Sequence, residues 1–219
     1  MELSITLIII IVTGIISFTA LSNQKIIDDL IYYPPSIKRG QWYRFFSSGL
    51  IHADIGHLMF NMLALYFFGV AVEHKFIDIF GEKGKWVYLL MYVMALPVSL
   101  LPTYSRTKDS YHYRGLGASG AVSAVVFVMI LLEPLRGIGL FFIPVYIAGF
   151  LFGGIYLLIS HYLDKQGTGN VNHSAHIFGA LFGIGFIIVA CRVVDYPVVQ
   201  DFISKIQNLD PSQLITFGR

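Results

Sequence analysis

The sequence has few charged residues and a single cysteine. Only 13% of its 219 residues are Asp, Glu, Lys or Arg, whereas 56% are hydrophobic. A soluble domain of this length needs far more charged surface, so the composition indicates a polytopic membrane protein. Cys191 has no second cysteine to pair with, which excludes an intrachain disulfide. The net charge of +2 and the lack of basic runs argue against a nucleic-acid partner.

Six apolar segments are long enough, or nearly so, to cross a bilayer as helices, which takes about 20 residues and tolerates about 17. We therefore predict an all-α polytopic fold, with a single six-span membrane domain over residues 1–219 and a short tail at 195–219 that holds an amphipathic helix. The first segment follows Glu2 with no Lys or Arg ahead of it, so we interpret it as a retained span and not a signal peptide. The six segments are residues 4–21, 55–73, 86–104, 117–133, 141–163 and 175–194.

The loop between the first two segments, residues 22–54, is too apolar to be a simple solvated linker. Tyr and Trp concentrate at membrane–water interfaces, so we expect this loop to lie partly in the membrane. Lys and Arg are divided eight against seven between the two sides, a balance that does not determine orientation. The aromatic residues of the loop are Tyr32, Tyr33, Trp42, Tyr43, Phe45 and Phe46.

Four polar residues fall at similar depth on alternate segments. Ser119 lies in the first turn of the fourth segment and His176 in the first turn of the sixth. His57 and Asn61 lie in the first two turns of the second. Because alternate spans point the same way across a bilayer, these residues are expected near one face on helices that can be neighbours.

The chemistry of these residue types fits peptide-bond hydrolysis. A serine hydroxyl is a weak nucleophile until a base takes its proton, which the neutral imidazole of His176 can do. The oxyanion that forms needs donors, and His57, Asn61 and the Ser119 backbone N–H can supply them. No Asp or Glu lies deep in a segment, so a Ser–His dyad is expected in place of a triad.

Each residue also has a structural interpretation. A serine between small residues in a membrane helix is usually a packing residue, and a lone histidine can make a structural hydrogen bond. The pairs Gly179–Gly183 and Gly149–Gly153 are most simply close-packing faces, and Gly179 is expected to bring the sixth helix tight against the fourth. The four polar positions at one depth favour a catalytic site over these separate readings.

These motifs resemble the rhomboid family of intramembrane serine proteases over residues 40–192. The resemblance rests on His57-Leu58-Met59-Phe60-Asn61, Gly117-Ala118-Ser119-Gly120 and the run from Ala175 to Gly183, in this order. It implies that Ser119 is the nucleophile and His176 the general base, with His57 and Asn61 stabilising the oxyanion. Gly117 and Gly120 would let a substrate backbone approach.

The resemblance implies further roles. His52 matches a family histidine that is structural or close to the site, and Glu73 matches a glutamate that secures the end of the second helix. The fifth connection, residues 164–173 with Gly167 and Gly169, would be a mobile cap, and it would admit transmembrane substrates together with the fifth helix. No cofactor, metal or nucleic acid is implied, and the lipid bilayer is the medium.

Two positions depart from the family pattern. The first loop usually carries a Trp-Arg pair, whereas here Tyr43 precedes Arg44 and Trp42 stands one place earlier. Some members place an aromatic residue four positions after the nucleophile, where it stacks on the catalytic histidine. This chain has Ser123 there, so another group or the packing must orient His176.

Two other functions remain open. A catalytically inactive rhomboid-like protein would bind transmembrane helices without cutting them, although such relatives typically lose the serine or the histidine. A metal- or haem-binding enzyme could use His52, His57, His173 and His176 as ligands. The short extensions suit a compact prokaryotic enzyme of a bacterial plasma membrane, with its site opening toward the non-cytoplasmic side.

Overall fold

The computed structural model describes residues 4–139, 144–167 and 171–217. Glu2, residues 141–143 of the predicted fifth span and Gly169 of the predicted cap lie outside these ranges. The described chain is mostly helical. The helices are α1 (Ile5–Leu21), α2 (Gln24–Leu30), α3 (Pro34–Lys38), α4 (Arg44–Ser47), α5 (Ile55–Ala64), α6 (Val70–Phe80), α7 (Gly84–Thr107), α8 (Ser119–Leu132), α9 (Gly149–Gln166), α10 (His173–Val193) and α11 (Val198–Gln207).

The centre of the fold is α8, on which nearly every residue is buried. It packs most extensively against α10 and also against α7. A Cβ atom at Gly179 would collide with the carbonyl oxygen of Gly120, and one at Gly183 with that of Ala124. The glycines of α10 therefore lie directly on the backbone of α8, which is the close packing predicted from their spacing.

The helices α5 and α6 form one continuous rod joined by a π-helical turn at Leu65–Gly69. The chain then reverses at Gly81, whose φ of +62° suits glycine, and α7 packs back along α6. Glu73 on α6 is almost fully buried and accepts hydrogen bonds from the backbone N–H groups of Ile5 (2.7 Å) and Thr6 (2.9 Å). The carboxylate thereby satisfies free donors at the start of α1.

Two helical stretches of the described chain are both long and apolar enough to cross a membrane. One runs from Ile55 to Thr107, through α5, α6 and α7, and the other is α10. The helices α1 and α8 are apolar but shorter. The exposed sides of these helices carry many large hydrophobic residues, including Phe18, Phe60 and Trp86. Such apolar outer surfaces suit an integral membrane protein.

The first loop folds on itself and is anchored by Arg44. The guanidinium of this buried residue donates to the carbonyl oxygens of Asp28 (2.9 Å) and Ile31 (2.7 Å), and the hydroxyl of Tyr43 donates to that of Asp29 (3.0 Å), so the Tyr-Arg pair does hold the loop. Of the six aromatic residues that we assigned to an interface, Trp42, Tyr43 and Phe46 are exposed, whereas Tyr32 and Phe45 are buried. The interfacial assignment of the buried pair is wrong, because they form the loop's own core with Ile37.

A small antiparallel sheet departs from the all-α expectation. Its strands β1 (Gly137–Gly139), β2 (Val145–Ala148) and β3 (Ile215–Phe217) lie in this order, with Ile138 opposite Ile147 and Tyr146 opposite Thr216. The predicted span 141–163 is therefore wrong at its start, since residues 145–148 are a strand and α9 begins at Gly149. A short apolar run is compatible with strand or helix, and only its pairing partners decide.

The other predicted boundaries lie closer to the observed helix ends than the start of the fifth span does. The second segment extends from 55–73 to Phe80 across the π-helical turn, and the third widens from 86–104 to Gly84–Thr107 despite Pro97 and Pro102. The connection predicted as a cap at 164–173 starts later than predicted, because α9 continues to Gln166. Gly167 then ends the helix in a left-handed conformation. The amphipathic tail helix is confirmed as α11.

Candidate active site

Ser119 and His176 are in hydrogen-bond contact. The Nε2 atom of His176 lies 2.8 Å from the Oγ atom of Ser119, although 57 positions separate them in the chain. Both side chains are half-buried, so they are partly shielded and still reachable. Within the described residues, no carboxylate is hydrogen-bonded to His176. The pair has the nucleophile–base geometry that acyl transfer needs, without a third acidic member.

Helix packing and capping bring this pair together. Ser119 is the first residue of α8, and His176 lies in the first turn of α10, three residues before the Gly179 contact. The start of α10 is capped by Asn172, whose Oδ1 accepts from the N–H of Ala175 at 3.0 Å. Thr103 on α7 donates its hydroxyl to the same oxygen at 3.1 Å. His176 therefore lies on a helix start that is bound to α7.

The segment before Ser119 is bound to the first loop. The N–H of Gly117 donates to the carbonyl of Ser48 at 2.9 Å, and Gly115 pairs with Tyr32 as in a short antiparallel ladder. Gly117 has a φ of +112°, and a Cβ there would lie 2.7 Å from Cε1 of His57. Both the backbone angle and the imidazole require glycine at this position.

His52 supports the same segment from a fully buried position. Its Nε2 accepts a long hydrogen bond (3.4 Å) from the N–H of Ala118, and its Nδ1 lies 3.2 Å from the hydroxyl of Ser17 on α1. Because a neutral imidazole has one donor and one acceptor nitrogen, Nδ1 carries the proton toward Ser17. The rings of His52 and His57 also pack in a T-shaped arrangement, with centroids 4.9 Å apart and planes at 77°.

His57 and Asn61 lie on α5 beside this segment. The turn is fixed by Asp54, whose carboxylate accepts from the N–H of His57 at 2.8 Å. The imidazole of His57 packs on Gly117, two residues from Ser119. Asn61 donates one amide hydrogen to the backbone oxygen of His57 at 3.0 Å, which leaves it one further hydrogen. The Ser119 N–H, at the first position of α8, has no acceptor within its helix.

Tyr156 of α9 is a neighbour of the site that sequence reasoning missed. Its ring stacks on His176, with centroids 6.1 Å apart and planes at 24°, and its hydroxyl lies 2.9 Å from the Oγ of Ser123. Ser123 is the position at which the resemblance led us to look for a stacking aromatic residue. No local signal marks a tyrosine 33 positions away as its substitute, since only the contact between α8 and α9 brings the two together.

A groove of about 600 Å³ runs along α9 and ends at the site. Its walls come from β1, β2, α9 and α10, and they are mostly apolar, with Ser160, His173 and His176 as polar residues beside Tyr156. Ile155 and Ile159 on α9 are about half exposed along it. The groove can therefore hold an apolar segment with one end close to Ser119 and His176.

Other predicted residues lie elsewhere or have packing roles. Glu73 secures the start of α1 and makes no contact with Ser119 or His176. Gly120 packs against Ser99 of α7 on one side and against Gly179 on the other. Across the described residues, no group of three or more His, Cys, Asp or Glu side chains is arranged to hold a metal ion.

The chain is similar to proteins of one domain family. The model of the Rhomboid domain matches residues 39–193. RHOMBOID-like protein 12, mitochondrial, of Arabidopsis thaliana is 31% identical over 169 residues, which cover 73% of this chain and 49% of the relative. Rhomboid-related protein 1 of Caenorhabditis elegans is 32% identical over 178 residues, covering 77% and 44% of the two chains.

A bacterial relative carries a protease name. Rhomboid protease GluP of Bacillus subtilis (strain 168) is 29% identical over 153 residues, which are 67% of this chain and 26% of the relative. The chain thus spans about half, or less, of the length of these three relatives.

Proposed function

Because this chain belongs to the rhomboid family, whose members are typically intramembrane serine proteases, we propose that it is an active serine endopeptidase. It would hydrolyse peptide bonds in or near the transmembrane segments of other membrane proteins. The observation that carries the proposal is the 2.8 Å contact between His176 Nε2 and Ser119 Oγ. Retention of both residues argues against an inactive binder, since inactive relatives typically lose one of them.

In the proposed mechanism, His176 takes the hydroxyl proton of Ser119 while Oγ attacks the scissile carbonyl carbon. The proton then passes from His176 to the leaving amine, and water releases the acyl group from Ser119 by the same route. The helix-start position of Ser119 adds a favourable dipole for the developing negative charge. The dyad works without a carboxylate to orient the imidazole.

The oxyanion would be stabilised by the Ser119 N–H, the free hydrogen of the Asn61 amide and the His57 imidazole. Packing of His57 on Gly117 supports this assignment, because it holds the ring beside the segment that leads to Ser119. His52, Gly117 and Gly120 would serve as supports for that geometry.

The proposed substrate site is the groove along α9. Its apolar walls fit a transmembrane segment of a single-pass or polytopic protein, and its polar end fits an unwound stretch of that segment. Small, helix-breaking residues would let the substrate backbone enter between the start of α8 and α9. No cofactor, metal or nucleic acid takes part in this scheme.

We further propose that residues 1–219 form one domain that crosses the bilayer six times, through α1, α5–α6, α7, α8, α9 and α10. The exposed Trp42, Tyr43 and Phe46 support a first loop that lies partly in the membrane. The membrane would be a bacterial plasma membrane, with the site opening to the non-cytoplasmic side. Accessibility of a cysteine introduced at Asp54 to a membrane-impermeant maleimide tests this orientation, because labelling only after permeabilisation contradicts it.

The test of the activity uses purified protein in liposomes with a model transmembrane substrate and a small fluorophosphonate. Wild type should cleave the substrate and be labelled, whereas Ser119→Ala and His176→Ala should lose both. Ser204→Ala and His161→Ala are matched controls, because both residues lie away from the site and should keep both activities. Equal cleavage by wild type and Ser119→Ala would exclude the assigned nucleophile.

The same assay separates the alternative of an inactive rhomboid-like binder. Such a protein would retain the substrate in a pull-down and would neither cleave it nor react with the fluorophosphonate. Labelling that depends on Ser119 rules this alternative out. Inhibition by chelators without any effect of the fluorophosphonate would instead favour the metal-dependent enzyme.

A further inference from the structure

Tyr156 is the aromatic side chain stacked on the imidazole of His176. We propose that Tyr156 is a positioning residue that keeps His176 aimed at Ser119, and that Ser123 holds the tyrosine ring in place. The inference rests on the proposed function and concerns how its base is oriented. Two contacts carry it, the ring stack at 6.1 Å and 24° and the hydroxyl contact at 2.9 Å.

The imidazole needs such support because, among the described residues, no carboxylate holds it in the orientation that faces Ser119. Within the described chain, its one hydrogen bond is the contact with Ser119. The ring of His173 meets it edge-on, with centroids 5.8 Å apart and planes at 80°. Tyr156 covers one face, so the two aromatic neighbours restrict rotation of the imidazole about its side-chain bonds. An aromatic pair of this kind contributes about 0.5–1.5 kcal/mol.

The tyrosine side chain is itself held by neighbours on α8 and α9. Ser123 on α8 lies one turn beyond Ser119 and contacts the phenolic oxygen, so the nucleophile and the support of the base share one helix. Phe127, one turn further along α8, meets the ring at 5.7 Å. Phe152, one turn earlier on α9, stacks on the same ring at 6.1 Å, so residues of both α8 and α9 hold Tyr156.

The test measures the rate at which a small fluorophosphonate labels Ser119 in the full-length protein in liposomes. This probe does not fill the groove, so its rate reports on the nucleophile and base rather than on substrate binding. The variants are Tyr156→Leu, Tyr156→Phe, Ser123→Ala and the double variant of the last two. Tyr162→Leu is the matched control, because Tyr162 lies on the same helix and is exposed to the surroundings.

We expect Tyr156→Leu to label at least about tenfold more slowly than Tyr162→Leu, because it loses both the stack and the hydroxyl contact. Tyr156→Phe keeps the ring and should lose only about two- to fivefold, as should Ser123→Ala. The double variant should be no slower than either single one, since both remove the same contact. With a transmembrane substrate, kcat should fall by more than KM rises.

Three results would overturn the inference. The first is labelling of Tyr156→Leu within twofold of Tyr162→Leu. The second is a loss in Tyr156→Phe as large as that in Tyr156→Leu. The third applies if Tyr156→Leu does not fold, and it is a labelling rate in both Tyr156→Phe and Ser123→Ala that equals the wild-type rate. By contrast, equal labelling of wild type and Ser119→Ala would refute the proposed protease function itself, and this inference would fall with it.

Discussion

Replacing Gly179 by alanine should separate α10 from α8 and disable the Ser119–His176 pair. The added Cβ would collide with the carbonyl oxygen of Gly120, which belongs to the backbone and cannot rotate away. Relief of that collision requires the two helices to move apart by roughly 1 Å, given ordinary contact distances. Because His176 lies three residues from Gly179, and Ser119 lies next to Gly120, the movement directly lengthens the 2.8 Å contact.

The expected loss of labelling rate follows from moving the two side chains apart. A shift of about 1 Å can lower a rate by about 100-fold, so labelling by a fluorophosphonate should fall between about 10- and 100-fold. Overpacking of this kind also costs about 1–3 kcal/mol of stability. Thermal unfolding in detergent, measured beside the labelling rate, separates the two effects.

Gly185→Ala is the matched control on the same helix. A Cβ at Gly185 meets nothing within 4 Å, so this variant should label like wild type. It should also be slightly more stable, because alanine is favoured over glycine in a helix by about 0.5–1 kcal/mol. If Gly179→Ala labels within twofold of Gly185→Ala while folded, close contact of α10 and α8 does not set the catalytic geometry.

Three other substitutions test separate parts of the structure. Glu73→Gln should lower stability by about 1–3 kcal/mol, because the buried carboxylate accepts three hydrogen bonds at the start of α1, and the exposed Glu82→Gln is its control in thermal unfolding. Folded Glu73→Gln should still be labelled at the wild-type rate, and a slower rate would contradict a purely structural role. Arg44→Ala should make the first loop more susceptible to limited proteolysis than Arg192→Ala on the exposed end of α10 does, and equal protection would show that the Arg44 contacts are dispensable. Gly117→Ala should slow labelling by more than about tenfold, since it strains the backbone and displaces His57, and an unchanged rate would contradict the proposed part of His57 in stabilising the oxyanion.

The predicted spans and the helices agree best where the apolar run is long and forms a single helix. The segment 175–194 nearly matches α10 (His173–Val193), and 4–21 nearly matches α1. The prediction was wrong at 141–163 because β2 is as apolar as the helix that follows it. Its strand conformation depends on pairing with β1 and with β3, which lies some 70 positions away near the end of the sequence.

The sequence by itself determined the class of the protein and the positions of its polar residues along the helices. Hydropathy located most of the helices, and it placed Ser119, His176, His57 and Asn61 within the first two turns of theirs. Those positions depend on local composition along single segments, which can be read without knowing the packing. The rhomboid motifs follow the same order.

Only the tertiary structure decided which of these residues touch and what supports them. The contact of Ser119 with His176 depends on how closely the glycines of α10 approach the α8 backbone. The stack of Tyr156 on His176, the seating of Glu73 at the start of α1 and the anchoring of Arg44 join residues from separate elements. Such contacts depend on side-chain shape and distance between helices, which no pattern along one segment records.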